Sequence, residues 1–196
     1  SYSALACIAI QANQNDQHGG QSIPNFDYAL AKGVVKTYRN RYYQNLNRAI
    51  ELLSDAENFE AVASNIIKLA ESKTGSFPKI NGGHDYMAEE KRLLSLEFGN
   101  ILADKIQKFA SSHALKETDK ATYQAMEALV HNLNTMHSRA GAQVPFSSIN
   151  YGMDSTEEGR MIIKNILLAT EAGLGNGETA IFPIHIFKVK EGVNYN

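Results

Sequence analysis

Apolar residues recur at helical spacing through most of the chain, and the pattern changes only in the last quarter. In residues 1–15, Leu5, Ile8, Ala9 and Ala12 fall on one side of a helix that ends in the loop 16–20. After Pro24 a longer helix is expected over residues 27–53, its stripe formed by Val35, Tyr38, Tyr42, Leu46, Ala49 and Leu53. Ser54 and Asp55 offer capping oxygens to a third helix whose buried face would be Phe59, Val62, Ala63, Ile66, Ile67 and Ala70. The loop 73–83 carries Gly75, Pro78, Gly82 and Gly83 and separates it from a fourth helix, residues 87–111. That helix gathers Leu94, Phe98, Ile101, Leu102, Ile106 and Phe109; a fifth, from about Glu117, gathers Met126, Leu129, Val130, Leu133 and Met136.

Residues 142–151 read instead as a polar strand, with Val144, Phe146 and Ser148 on one side and Pro145, Ser147 and Ile149 on the other. Ser155 with Glu158 forms a capping box for a helix through Met161, Ile162, Ile166 and Ala169, stopped by a left-handed Gly173. Residues 181–189 are nearly continuous apolar, the pattern of a strand buried on both faces. Strand, helix, strand is a parallel βαβ unit. The fold class is therefore a helix-dominated α/β chain, a helical region over 1–138 followed by a βαβ portion over 139–196, in one continuous domain.

Composition narrows the classes. The chain has 196 residues, a net charge of −2, 20% charged and 43% hydrophobic residues, which suits one folded body and excludes a disordered polyelectrolyte or a globally basic nucleic-acid binder. Cationic function must be local. A single cysteine excludes an internal disulfide framework and any multi-cysteine metal site, and it fits a reducing, cytoplasmic setting. No apolar run reaches the ~18 residues of a membrane span, and no basic leader precedes the first helix. The chain opens at Ser1 inside an apolar helical pattern, the expectation for an internal piece of a longer protein.

Lys32, Lys36, Arg39, Arg41 and Arg48 follow Asp27 with no acid among them before Glu51. Lys32, Lys36 and Arg39 share a helix face at i, i+4 and i+7, a spacing able to hold a triphosphate or to remain a solvated basic face. Tyr38, Tyr42 and Tyr43 fit core packing better than base stacking. Gln17-His18-Gly19-Gly20-Gln21 lets backbone approach a ligand closely or simply stops a helix. Gly173-Leu174-Gly175-Asn176-Gly177 closes a helix rather than opening one, so it is a turn and not a dinucleotide fingerprint. His131 and His137 lie six apart, on different sides of a helix, and no metal site is expected; Cys7 reads as inert packing. The segment 139–152 is unusual for an α/β strand, being rich in Gln, Ser and Asn. Such groups on a rigid element suit a polar substrate.

Residues 131–152, His131-Asn132-Leu133-Asn134-Thr135-Met136-His137-Ser138-Arg139-Ala140-Gly141-Ala142-Gln143-Val144-Pro145-Phe146-Ser147-Ser148-Ile149-Asn150-Tyr151-Gly152, resemble the class III anaerobic ribonucleoside-triphosphate reductases of the glycyl radical superfamily. So do Thr170-Glu171-Ala172-Gly173-Leu174-Gly175-Asn176-Gly177-Glu178-Thr179 and the stretch Gln11 to Asp27; residues 55–120 match only loosely. Ala180 and Met153 depart from the family pattern, which has a proline and a small polar residue there.

The resemblance implies a large catalytic subunit built on a ten-stranded α/β barrel. A glycyl radical there generates a thiyl radical that abstracts the ribose 3′ hydrogen, with formate or a thiol as reductant and a structural zinc. It implies a ribonucleoside triphosphate substrate, an activase using an iron–sulfur cluster and S-adenosylmethionine, ATP and deoxynucleotide effectors, a homodimer, and a role in deoxyribonucleotide biosynthesis for DNA replication. It assigns Arg139, Gln143, Ser147, Ser148, Asn150, His18, Gly19 and Gly20 to the substrate, and Gln11, Lys32, Lys36 and Arg39 to an effector. Strand alternation lets only one of Ser147 and Ser148 face the pocket. The family's Met-Gly-Cys-Arg thiyl motif, radical glycine and zinc cysteines have no counterpart in this chain, so no catalytic residue, metal or cofactor is assigned to it and it would be inactive alone. The alternatives are a non-catalytic oligomerisation or nucleotide-effector module and, through the basic face, a nucleic-acid binder that the net charge disfavours.

Overall fold

The computed structural model describes residues 2–16, 19–136 and 144–195. In chain order these form α1 (Tyr2–Asp16), β1 (Gln21–Ile23), α2 (Phe26–Leu53), α3 (Phe59–Thr74), α4 (His84–Phe98), α5 (Asn100–Thr135), β2 (Ser147–Tyr151), α6 (Glu157–Ala172) and β3 (Ile184–Phe187). Helix dominates, with one small sheet. The chain divides into two compact units, one of residues 1–34 with 119–196 and one of residues 35–118; α2 and α5 run from one into the other.

In the unit of residues 35–118, α2 buries Tyr38, Tyr42, Leu46 and Ala49 of the expected stripe and Ile50 beside them, whereas Val35 is half-buried and Leu53 is 39% exposed. Helix α3 buries Ala63, Ile66 and Ala70. Its N-cap is Asn58, not the expected Ser54 or Asp55, and Ser54 instead donates to Ile50 O at 2.6 Å at the end of α2. Gly75, at φ +61, closes α3 in the left-handed conformation that glycine adopts without strain, its N–H reaching Glu71 O at 2.8 Å.

The next helix boundary corrects the sequence reading. The break lies at Gly99 (φ +81), and α5 then runs unbroken through 111–117, where a boundary was expected. No Gly or Pro interrupts that stretch: Ser112 donates to Phe109 O at 3.2 Å and the His113 ring stacks on Phe109 at 3.9 Å. Ala103, Ala110 and Ala114 give α5 a small-residue face in the core.

The other unit holds the sheet. Its order is β1-β2-β3, all parallel, with Ser22 opposite Ser148 and Asn150 opposite Ile186. The parallel βαβ unit is present, but β1 has no counterpart in the sequence reading. Helix α6 is capped by Thr156, whose Oγ1 accepts from Gly159 N at 3.1 Å, not by Ser155; Asp154 Oδ1 accepts both the N–H and the hydroxyl of Thr156. Gly173 stops α6 at positive φ but with ψ −153°, outside the left-handed helical region. The 173–178 turn is closed by Leu174 N to Glu178 O at 3.0 Å.

Two further expectations are corrected here. Helix α1 buries Ser3, Cys7, Ile10 and Gln14, leaving Leu5 and Ile8 at 64% and 58% exposure. Both stripes satisfy helical spacing, and packing selects the one carrying Cys7, whose thiol is pushed up in pKa chiefly by burial. Strand β3 is shorter than 181–189 and is an edge, with Ile184, Ile186 and Phe187 exposed. Burial on both faces would need a second layer, which the described residues do not supply.

Candidate functional site

Strand β2 alternates strictly: Ser147, Ile149 and Tyr151 are buried, Ser148 and Asn150 are not. Because side chains in one register row of a sheet share a face, Ser22, Ser148, Asn150, Ile184 and Ile186 lie together on the side opposite the buried residues. On that face Ser22 Oγ donates to Asn150 Oδ1 at 3.1 Å. This orients the Asn150 amide and leaves its NH2 as a donor. The result is a strip of neutral donors and acceptors beside two exposed isoleucines.

Ser147 is placed apart from Ser148. It is fully buried, and its hydroxyl has no hydrogen-bond partner among the described residues. Gly19 lies at φ +115 in open space, and a Cβ on Gly20 would come within 3.0 Å of the Phe146 ring. His18, Arg139 and Gln143 lie outside the described residues.

Behind the strip the opposite face is tied down by polar groups. Thr170 Oγ1 donates to Ile166 O at 2.8 Å and must therefore accept from His185 Nε2 at 3.0 Å. His185 Nδ1 in turn accepts the Tyr151 hydroxyl at 3.0 Å. Burial lowers the His185 pKa and raises that of Tyr151, so both rings stay neutral. Asn134 pins the approach to β3: Oδ1 accepts the N–H groups of Ile181 and Phe182 at 2.9 and 3.0 Å, while Nδ2 donates to Phe182 O and Val130 O at 2.6 Å each. Asp27 ties the N-terminus of α2 to the turn after β2 through Gly152, Met153 and Asp154. Sequence reasoning missed Asn134 and Asp27 as positioning groups, because their partners are backbone atoms far along the chain.

The effector candidates are placed individually. Gln11 is half-buried on α1, and Lys32 and Lys36 are exposed one turn apart on α2. Arg39 is engaged by the Glu71 carboxylate, by Tyr43 Oη at 3.3 Å and by the Phe77 ring, 4.8 Å from its centroid. Arg41 lies 3.9 Å from Glu117. The acids absent from the basic stretch of α2 thus come from α3 and α5. Among the described residues no group of His, Cys, Asp and Glu could hold a metal ion, and no helix is long and apolar enough to cross a membrane.

The polar strip and its supports fall largely in the segments that carry the reductase resemblance, and comparison with known proteins agrees. The chain matches the anaerobic ribonucleoside-triphosphate reductase family over residues 1–196, and it belongs to that family. It is 37% identical over 87 residues to the anaerobic ribonucleoside-triphosphate reductases of Salmonella typhimurium strain LT2 and Escherichia coli strain K12, covering 44% of this chain and 12% of each of those proteins. The same-named protein of Enterobacteria phage T4 is 41% identical over 86 residues, 43% of this chain and 14% of its own length. The chain thus spans a small part of the curated relatives it matches.

Proposed function

We propose that this chain is part of an oxygen-sensitive anaerobic ribonucleoside-triphosphate reductase that converts ribonucleotides to deoxyribonucleotides by radical chemistry, and that the open face of its sheet lines the nucleotide pocket. The observation that carries this reading is the strip Ser22, Ser148 and Asn150 on the uncovered side of a parallel sheet. In an α/β barrel the helices lie outside, so the uncovered side is the lumen. The three strands would then be staves of the family's ten-stranded barrel, β1 joining from the helical region 1–138 and β2 and β3 from the portion 139–196.

Neutral hydroxyl and amide groups suit ribose hydroxyls, which they can orient without competing for a proton. Ile184 and Ile186 beside them would keep the pocket dry. Within this reading Ser148 and Asn150 touch the substrate, and Ser147 supports the strand from behind. Gly19 and Gly20, with His18, Arg139 and Gln143, complete the substrate assignment. The glycyl radical, the structural zinc, the formate or thiol reductant and the contact with the radical S-adenosylmethionine activase belong to motifs this chain does not contain. Gln11, Lys32, Lys36 and Arg39 are assigned to a deoxynucleotide effector of a homodimer, in the cytoplasm.

The full-length reductase carrying this segment, activated anaerobically, should form deoxyribonucleotides from ribonucleoside triphosphates. Absence of product with an activase that works on a relative contradicts the proposal.

A further inference from the structure

Backbone N–H groups of Gly152, Met153 and Asp154 converge on one oxygen, Asp27 Oδ2, at 2.9, 3.1 and 3.0 Å. Successive N–H groups aimed at one point make a concave anion cradle. This one follows the C-terminal end of a parallel strand and precedes α6, the position at which α/β sheets hold phosphates and other anions. Here an internal carboxylate fills it. Asp27 is fully buried, and its other oxygen accepts the N–H of Tyr28 at 3.0 Å.

The surroundings hold the cradle in shape. Gly152 adopts φ +115, and a Cβ there would meet Lys188 O at 2.7 Å and the Phe187 ring at 2.9 Å. A Cβ on Gly159 would stand 2.3 Å from the Asp154 carboxyl carbon. The Gly152 carbonyl accepts from Asn194 Nδ2 at 2.6 Å, and the Met153 carbonyl accepts from Tyr28 Oη at 3.2 Å. Nor is Asp27 a helix cap for α6, since Thr156 has that role.

We infer that Asp27 is a built-in anion ligand: it occupies a phosphate-type cradle at the end of β2, excludes external phosphate from it, and so positions the strand that carries Ser148 and Asn150. The consequence for substrate rests on the reductase reading; the occupancy of the cradle does not. A substrate triphosphate must therefore be held elsewhere, which makes Asp27 a positioning residue rather than a catalytic one.

The test substitutes Asp27→Gly in the whole chain and titrates acetate, inorganic phosphate and, as an ionic-strength control, chloride. Amide NMR signals of Gly152, Met153 and Asp154 and the thermal midpoint are followed. The variant should lose stability, and acetate should restore both readouts saturably; phosphate should bind the variant and not the native chain, and chloride should do neither. If Asp27→Gly folds only with acetate present, that supports the inference equally. Asp27→Asn, which turns an NH2 against the N–H of Tyr28, should shift the signals of Tyr28 and residues 152–154. Unshifted signals in Asp27→Asn, or no response of Asp27→Gly to either anion, overturn the inference. Failure of the reductase reading would show separately, as absence of ribonucleotide reduction by the full-length protein with the cradle results intact.

Discussion

Tyr42 donates its phenolic proton to Glu90 Oε1 across 2.6 Å in a part of the helical unit where neither side chain has any solvent exposure. Gln107 Nε2 donates to the same oxygen at 2.9 Å. Burial raises the Glu90 pKa, an effect that the hydrogen bonds from Tyr42 and Gln107 offset in part, and burial likewise holds Tyr42 neutral.

A carboxyl whose folded value exceeds its unfolded value keeps its proton better in the native state. The Glu90 contribution to stability should therefore be complete below the unfolded carboxylate value, about 4.3, and be lost as pH rises from there through the folded value. One such group contributes a slope of at most about 1.4 kcal/mol per pH unit. Denaturant unfolding across this range, compared with Glu90→Gln, checks it: the variant should lose that part of the slope, and an unchanged slope rejects the assignment to Glu90.

His185 behaves in the opposite sense. Its folded pKa is lowered by burial, so its contribution is complete above the unfolded value, about 6.5, and is lost as pH falls toward the folded value. The chain of hydroxyls also dictates the tautomer, with the proton on Nε2. Nitrogen NMR of the imidazole should show Nε2–H and an apparent pKa below 6.5; an Nδ1–H ring would contradict the hydrogen-bond order.

Asn134 satisfies three backbone groups of residues 181–182 with one side chain. Asn134→Ala leaves them without a protein partner and should cost about 1–3 kcal/mol in denaturant unfolding. Asn134→Asp should cost more than Asn134→Ala, since it sets a carboxylate against the Phe182 carbonyl. Equal stability of the aspartate variant and the native chain would refute this account.

The effector assignment separates two cations by their surroundings. Lys36→Ala removes an exposed charge and should weaken deoxynucleotide binding to the full-length protein about tenfold or more, the worth of a charge-assisted phosphate bond at roughly 1.5–3 kcal/mol. Arg39→Ala should do the same and also lower stability, because the guanidinium bridges Glu71, Tyr43 and Phe77. Calorimetric affinities within about twofold of native for both variants place the effector elsewhere.

Periodicity revealed the α2 stripe through Tyr42 and Leu46, the α3 face through Ile66, and the α6 face through Ile162 and Ile166, because there the apolar residues at helical spacing are the ones that packing buries. It failed where the pattern admits two answers. Helix α1 is apolar on the sides of both Leu5 and Cys7, so spacing alone does not choose between them. The apolar series Leu94, Phe98, Ile101, Leu102 continues through Gly99 and conceals its break. Strand β1 is three residues, Gln21 to Ile23, too short to show alternation, and its pairing with β2 is a tertiary event. Within the site, the polar character of residues 147–150 was legible, but which serine is buried depends on where the helices pack. Asp27 and Asn134 meet backbone 125 and 48 residues away, separations that no local pattern encodes.

In the proposed pocket the open face of the sheet, and not its buried face, meets the nucleotide. Steady-state reduction of a ribonucleoside triphosphate by full-length reductase carrying Ser148→Ala or Ser147→Ala distinguishes the two faces. Ser148→Ala should raise KM about 3- to 10-fold, the worth of a neutral hydrogen bond, with stability unchanged. Ser147→Ala, which removes a buried hydroxyl that lacks a hydrogen-bond partner among the described residues, should leave KM within about twofold and stability equal or higher. Equal losses from both serines, or a loss from Ser147→Ala alone, would contradict the account.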